Sequence, residues 1–234
     1  MVVGSGLVAR AFDVFRRNDR VLIFASGVSN SSTASEDAYQ RERDLLLECA
    51  GSGKRIAYFS TVSIMDTTLA NSGYIRHKLA MEELVRATFR NYTIFRLPNL
   101  IGNTSNPHTL GNYMRDRILA GGVLHVHAKA CRYLMDVEDM ARACRDILER
   151  GLFADATMNV CFDPPVTVPA MVRFMEQLMG KKGKVVEDDR GDCYDVDNAP
   201  FKQHWTGAMG LPWPPADDWK RVLRKYYDTQ VPTH

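Results

Sequence analysis

Met1-Val2-Val3-Gly4-Ser5-Gly6-Leu7-Val8-Ala9-Arg10-Ala11-Phe12-Asp13-Val14-Phe15 reads as a short strand, a glycine turn and an amphipathic helix in direct succession. Val8, Ala11, Phe12 and Phe15 recur at helical spacing, which predicts one apolar face on a helix from Leu7 to about Arg16. The turn itself, Gly4-Ser5-Gly6-Leu7-Val8-Ala9, is a GxGxxA sequence. Glycines there let the backbone turn tightly and approach a pyrophosphate, whose charge is favoured at a helix N-terminus. Glycine turns at strand ends are common, so the motif takes its weight from the strand-turn-helix context. Gly4, Ser5, Gly6 and Leu7 are candidate dinucleotide contacts.

The same alternation continues to about residue 100 and predicts β-α-β units around a parallel sheet. Val21 to Ala25 is a fully apolar strand that ends in the loop Ser26-Gly27-Val28-Ser29-Asn30-Ser31-Ser32. A charged helix from Ser35 or Glu36 to Ala50 leads to the strand Arg55–Phe59, the turn Ser60-Thr61-Val62-Ser63, the helix Tyr74–Phe89 and the strand Tyr92–Leu97, stopped by Pro98. Beyond it, helices are predicted at Leu110–Ala120, Val137–Arg150, Pro169–Met179 and Asp217–Tyr227, with strands at Val123–His127, Tyr133–Met135 and Thr157–Cys161. The expected fold is an α/β, reduced Rossmann-like parallel sheet flanked by helices, with a small C-terminal substrate lobe. Residues 1–100 and 133–162 are expected to form the cofactor domain, and 101–132 with 163–234 the lobe.

Composition excludes several classes. In 234 residues, 30 Lys and Arg stand against 28 Asp and Glu, a net charge of +2 that gives no basic footprint for nucleic acid. No apolar run is long enough to span a bilayer, and the first residues do not form a signal peptide. Cys49, Cys131, Cys144, Cys161 and Cys193 are odd in number and never spaced Cys-x-x-Cys, which predicts reduced thiols in the cytoplasm and neither a disulfide frame nor a zinc site. His125 and His127 share a strand face but lack a third ligand at metal-like spacing, so no metal is expected.

Tyr74 and Lys78 are four residues apart, which puts both on one helix face. A lysine ammonium beside a phenol favours phenolate and lets the tyrosine exchange a proton with a substrate hydroxyl. Ser60-Thr61-Val62-Ser63 closes a strand just upstream, at the end where open α/β sheets bind ligands. Each piece alone also fits a plain helix surface or a Ser/Thr turn.

In this order the three pieces resemble the short-chain dehydrogenase/reductase superfamily, in its extended, NAD-dependent epimerase/dehydratase branch. The resemblance extends over nearly the whole chain through Phe95-Arg96-Leu97-Pro98-Asn99-Leu100-Ile101-Gly102, Arg132-Tyr133-Leu134-Met135-Asp136-Val137-Glu138-Asp139 and the helix after Thr167 with Lys184-Val185-Val186. It implies Tyr74, Lys78 and Thr61 as catalytic residues. It also implies Ala25, Ser26, Lys78 and Pro98, beside the glycine turn, as contacts of NAD or NADP, and Ser63, Asn99 and Arg132 as contacts of a nucleotide sugar. A homodimer built from the helices at Glu36–Ala50 and Tyr74–Phe89, through Leu45, Leu46, Leu79 and Leu84, and a role in polysaccharide biosynthesis follow from the same likeness.

The chain departs from the family where the fingerprint helix leads straight to Val21–Ala25, which resembles the family's fourth strand. No acid for the adenine ribose stands about 20 residues past the glycines. Arg16, Arg17 and Arg20 either meet a 2′-phosphate or complement the helix C-terminus. The expected function is an NAD(P)-dependent reductase or epimerase of a nucleotide sugar. The alternative is an inactive relic that binds a sugar nucleotide or a protein partner.

Overall fold

The computed structural model describes residues 1–28 and 35–228, so the Ser29–Ser32 part of the expected loop lies outside the described residues. β1 (Val2–Val3) runs through α1 (Leu7–Ala11) and a 3₁₀ turn at Asp13–Phe15 to β2 (Val21–Phe24). α2 (Glu36–Glu48), β3 (Arg55–Thr61), α3 (Gly73–Thr88) and β4 (Tyr92–Leu97) continue the alternation. β5 (Asn99–Ile101), α4 (Leu110–Ala120), β6 (Val123–His127), β7 (Cys131–Arg132) and β8 (Leu134–Asp136) precede α5 (Val137–Glu149) and β9 (Ala156–Asn159). β10 (Val166–Thr167), α6 (Val168–Met179), β11 (Lys184–Asp188), α7 (Ala199–Gln203) and α8 (Asp218–Tyr227) complete the described elements.

The first helix is shorter than its apolar spacing predicts. It tightens at Phe12, whose N–H bonds the Ala9 carbonyl at 3.1 Å, because the chain must return to start β2. Asn18 makes that return with its side-chain oxygen, which accepts the N–H groups of Arg20 (2.9 Å) and Val21 (2.8 Å).

The central sheet has the order β1-β2-β3-β4-β9, and every pairing is parallel. Side chains alternate between its faces as strand geometry requires. Val21, Ile23, Ala57, Phe59, Phe95 and Leu97 meet α1 and α5 on one face; Leu22, Phe24, Ile56, Tyr58 and Ile94 meet α2 and α3 on the other. The steps β1 to β2, β2 to β3 and β3 to β4 go the same way along the sheet. The crossover through α1 is therefore opposite in hand to those through α2 and α3. Parallel crossovers are right-handed in about 98% of cases, so the mixed hand is rare. β1 is also the outermost strand, and the strand order never reverses beyond it.

A separate core gathers Ile101, Met114, Ile118, Leu124, Val126, Met171, Met175, Val222 and Leu223, with α4, β6, α6 and α8 supplying most of them. Trp213 packs against Phe162 and Phe201 and donates to Asp163 Oδ1 at 2.8 Å. Of the leucines expected at a dimer face, Leu46 is fully buried against the sheet, Leu45 and Leu84 are half-buried, and Leu79 is exposed, as is Leu47.

One expectation is corrected. Cys131 and Cys193 are joined in a disulfide, while Cys49, Cys144 and Cys161 are free and buried. The two cysteines lie 62 residues apart in sequence, so spacing gives no sign of the pair. They meet because the segment after β11 runs beside β7, where the Cys131 N–H bonds the Asp192 carbonyl at 3.2 Å. Among the described residues no helix is long and apolar enough to cross a membrane.

Gly4 has φ +118°, and a Cβ there would stand 2.4 Å from the Ala25 carbonyl oxygen. Gly4→Ala is expected to cost at least about 2 kcal/mol, from backbone strain plus the clash between β1 and β2. Urea unfolding measures it, and a midpoint equal to wild type would contradict the requirement for glycine.

Candidate active site

In a parallel sheet all strands end at the same edge, and here that edge collects most of the candidate residues. Gly4 to Leu7 follow β1, Ala25 and Ser26 follow β2, Thr61 and Ser63 close β3, and Pro98 and Asn99 follow β4. Ser5 and Gly6 are exposed, Gly4, Leu7, Ala25 and Ser26 half-buried, and Pro98 buried. β5 pairs in parallel with β8, and the Asn99 N–H bonds the carbonyl of Tyr133, the residue after Arg132, at 3.0 Å.

α3 starts at Ser72, whose side chain accepts the Ile75 N–H at 3.2 Å, so Tyr74 falls in the first turn and Lys78 one turn later. Thr61, at the end of β3, and Tyr74, in the first turn of α3, lie close enough for the Thr61 hydroxyl to favour the phenolate form. Thr61 Oγ1 also accepts the Ser63 N–H at 3.1 Å. The end of β3 and the start of α3 thus carry Thr61 and Tyr74.

The electrostatics differ from expectation. Burial, and then the Glu42 carboxylate, push the Tyr74 phenol well above its ordinary value. Lys78 does not offset this, because its ammonium is buried against Glu42 Oε1 at 3.0 Å and the Tyr58 hydroxyl at 3.3 Å. Glu42 is fully buried on α2 and held ionised at about 2 despite desolvation, by the Lys78 charge, by His77, by the Val28 N–H and by the Tyr58 hydroxyl. A second buried carboxylate, Glu82 on α3, is clamped by Arg96 at 2.8 and 2.7 Å.

Sequence reasoning missed three residues at this edge: Glu42, Asp66 and Tyr194. Asp66 is buried, accepts the Thr68 N–H at 3.0 Å and faces Arg132 Nη1 at 3.3 Å. Tyr194 is buried, its hydroxyl has no hydrogen-bond partner among the described residues, and the Arg132 charge is nearby. An acid on an amphipathic helix reads as solvated surface, and only a fold puts Glu42 inward. Arg16, Arg17 and Arg20 lie at the opposite edge of the sheet, just before β2, and Arg16 pairs with Asp13 at 2.9 Å. They do not face the glycine turn. A cleft of about 720 Å³ lies away from Tyr74, between α1, α5 and Tyr226.

A dinucleotide fits one half of this edge. A Cβ on Gly6 would meet nothing within 4 Å, so the turn is open to a phosphate group. With β1 outermost, the described residues offer no further strand to carry an acid towards an adenine ribose.

The parallel Rossmann-like sheet carries Thr61, Tyr74 and Lys78 on the elements at its carboxyl edge. Residues 5–161 match the model of the NAD dependent epimerase/dehydratase family, and the chain belongs to that family. None of the curated proteins compared matches the chain significantly. Among solved structures it is similar to the UDP-glucose 4-epimerase of Thermus thermophilus in complex with NAD (18% identity, TM-score 0.68, 97% of this chain and 84% of that one). It is also similar to UDP-glucuronic acid 4-epimerase of Bacillus cereus in complex with UDP-glucuronic acid and NAD (16%, 0.71, 96% and 78%). A dTDP-4-dehydrorhamnose reductase of Clostridium acetobutylicum is similar as well (18%, 0.67, 94% and 85%).

Glu42 and Glu82 set the acid limb of stability. Both carboxyls are lowered from their ordinary 4.5 on folding, Glu42 to about 2. Their contribution is complete above pH 4.5 and is lost as pH falls towards 2. For Glu42 that loss is on the order of 3 kcal/mol. Thermal melts from pH 6 to 2 should fall steeply below 4.5 in wild type. A folded Glu42→Gln variant should show a shallower fall, and parallel curves would refute the linkage.

Proposed function

We propose that the chain is an NAD(P)-dependent reductase or epimerase of a nucleotide-activated sugar. The observation that carries this reading is the placement of Thr61, at the end of β3, and Tyr74, in the first turn of α3, at the carboxyl edge of the sheet. Two hydroxyls there meet one substrate oxygen: Thr61 orients it and Tyr74 exchanges a proton with it. Lys78, on the same helix face, is held against the Tyr58 hydroxyl by its ion pair with Glu42. Ser63, Asn99 and Arg132 hold the nucleotide sugar, with Arg132 meeting the diphosphate and Asp66 holding its guanidinium in position. Gly4, Ser5, Gly6 and Leu7 would hold the pyrophosphate of NAD or NADP, and Ala25, Ser26, Lys78 and Pro98 its nicotinamide half. That cofactor supplies or accepts the hydride. We read residues 1–100 with 133–162 as the cofactor domain, the remainder as the sugar-nucleotide lobe, and the setting as the cytoplasm, in polysaccharide biosynthesis.

A second reading, a relic that binds a sugar nucleotide without turnover, draws on the outermost position of β1 and on the pairing of Lys78 with Glu42. A thermal-shift panel separates the two, because a ligand that binds only the folded state raises the melting temperature. Stabilisation by both a UDP-, GDP- or dTDP-sugar and a nicotinamide dinucleotide supports the enzyme. Stabilisation by sugar nucleotides alone supports the relic.

Tyr74→Phe should reduce turnover by roughly 100- to 10,000-fold, the usual contribution of acid/base catalysis, while ligand-induced stabilisation persists. Turnover equal to wild type would remove Tyr74 from the chemistry.

We also propose a homodimer through α2 and α3, where Leu47 and Leu79 are exposed. Light scattering should give twice 26.4 kDa at micromolar concentration. Leu79→Glu should return the monomer, and a monomeric wild type would exclude the interface.

A further inference from the structure

Glu42 is the most heavily bonded acid at the candidate site, and the chemistry proposed above makes no use of it. Its Oε2 accepts the Val28 N–H at 2.7 Å and faces His77 Nε2 at 2.9 Å. Its Oε1 accepts the Tyr58 hydroxyl at 2.7 Å and the Lys78 ammonium at 3.0 Å. A carboxylate has about four acceptor positions, so all of them are taken. The donors come from the loop after β2, from β3 and from two successive residues of α3. Gly27 keeps the passage narrow: a Cβ there would stand 2.7 Å from Lys78 Nζ and 3.0 Å from Glu42 Oε1.

This arrangement limits what Lys78 can do. Its ammonium meets both oxygens of Glu42, at 3.0 and 3.4 Å, and the Tyr58 hydroxyl at 3.3 Å. The charge is spent too. Lys78 and Glu42 form a buried neutral pair, 3% and 0% exposed, so Tyr74 is not beside an isolated cation. The groups that bear on the Tyr74 hydroxyl are Thr61 from β3, and Glu42 and Tyr39 from α2. None of them is a cation.

We propose that Glu42 is a positioning residue of this site: by holding Lys78 in an ion pair it presents Tyr74 as a neutral phenol that donates a proton. This rests on the reading of Tyr74 as the acid/base group. The substrate oxygen that meets Thr61 and Tyr74 is then a carbonyl oxygen, and the sugar nucleotide arrives as a keto-sugar. The Tyr74 O–H bond breaks and an O–H bond to the sugar oxygen forms as the carbonyl carbon gains hydride from a reduced nicotinamide dinucleotide. The phenolate left behind takes its proton back from solvent.

The test uses unliganded, full-length protein, so it does not depend on turnover. Phenolate absorbance is titrated for each protein and for its Tyr74→Phe counterpart, and the difference isolates Tyr74 from the other tyrosines. In wild type Tyr74 should ionise above the ordinary range. In Glu42→Gln the Lys78 charge is no longer paired, and Tyr74 should carry at least tenfold more phenolate at the same pH. An unchanged titration overturns the proposal. Removing one partner of a buried pair is costly to folding, so the second arm is Glu42→Gln combined with Lys78→Met, which buries no unpaired charge. That double variant should fold and titrate Tyr74 close to wild type, and a large shift in it also overturns the proposal. Should Tyr74→Phe retain full turnover, the catalytic reading fails on that result alone, and these titrations still report whether Glu42 controls the phenol.

Discussion

A charge with no water around it must find its counter-charge and hydrogen bonds inside the protein, and Glu42 does so in a way that fixes the site. Its carboxylate ties α2 to the loop after β2, to β3 and to α3. Those are the elements that carry Ala25, Ser26, Thr61, Tyr74 and Lys78. Glu82 does the same one turn further along α3, where Arg96 from β4 and Arg86 hold it. Apolar packing of Met81 and Val85 against Leu22, Ile56 and Ile94 seats α3 on the sheet, and the two buried acids fix its rotation and register.

The parallel sheet supplies the other constraint. Because β1 to β4 point the same way, the residues after each strand meet at one edge even though they span positions 4 to 99. The second core, formed by α4, β6, α6 and α8, reaches that edge through the β5–β8 and β7–β10 pairings, which present Asn99 and Arg132. The site is open at the glycine turn and ends at β1. A ligand that follows the sheet edge outward from Thr61 therefore meets the turn at Gly4 to Leu7 and then solvent. The unusual hand of the α1 crossover belongs to the same feature. The helix sits on the face with α5, while its strand hands the chain directly to a neighbour on the side served by α2 and α3.

Much of this was written locally in the sequence. Alternating apolar strands and amphipathic helices gave the α/β class, because burial of one face imposes a period of two or about 3.6 whatever the partner. The GxGxxA turn, the Tyr74–Lys78 spacing and the strand end at Thr61 identified the edge, since each depends on neighbours within a few residues. Helix α3 and strands β4 and β6 match their predicted ranges within a residue. The missing acid after the glycine turn was also legible, and the structure accounts for it through the outermost position of β1.

What only the tertiary structure decided concerns contacts between residues far apart in the chain. The Cys131–Cys193 disulfide joins segments 62 residues apart, and neither its presence nor its partners follow from spacing. Lys78 looked like a free cation beside a phenol until α2 brought Glu42 to within 3.0 Å of it. Burial, and then the Glu42 carboxylate, reversed the direction of the Tyr74 shift. Sequence fixes which groups can ionise and which faces must be buried, because those are properties of single residues and short periods. The sign of an electrostatic effect depends on distance and solvent exclusion between residues such as Glu42 and Tyr74, and those distances exist only once the chain has folded.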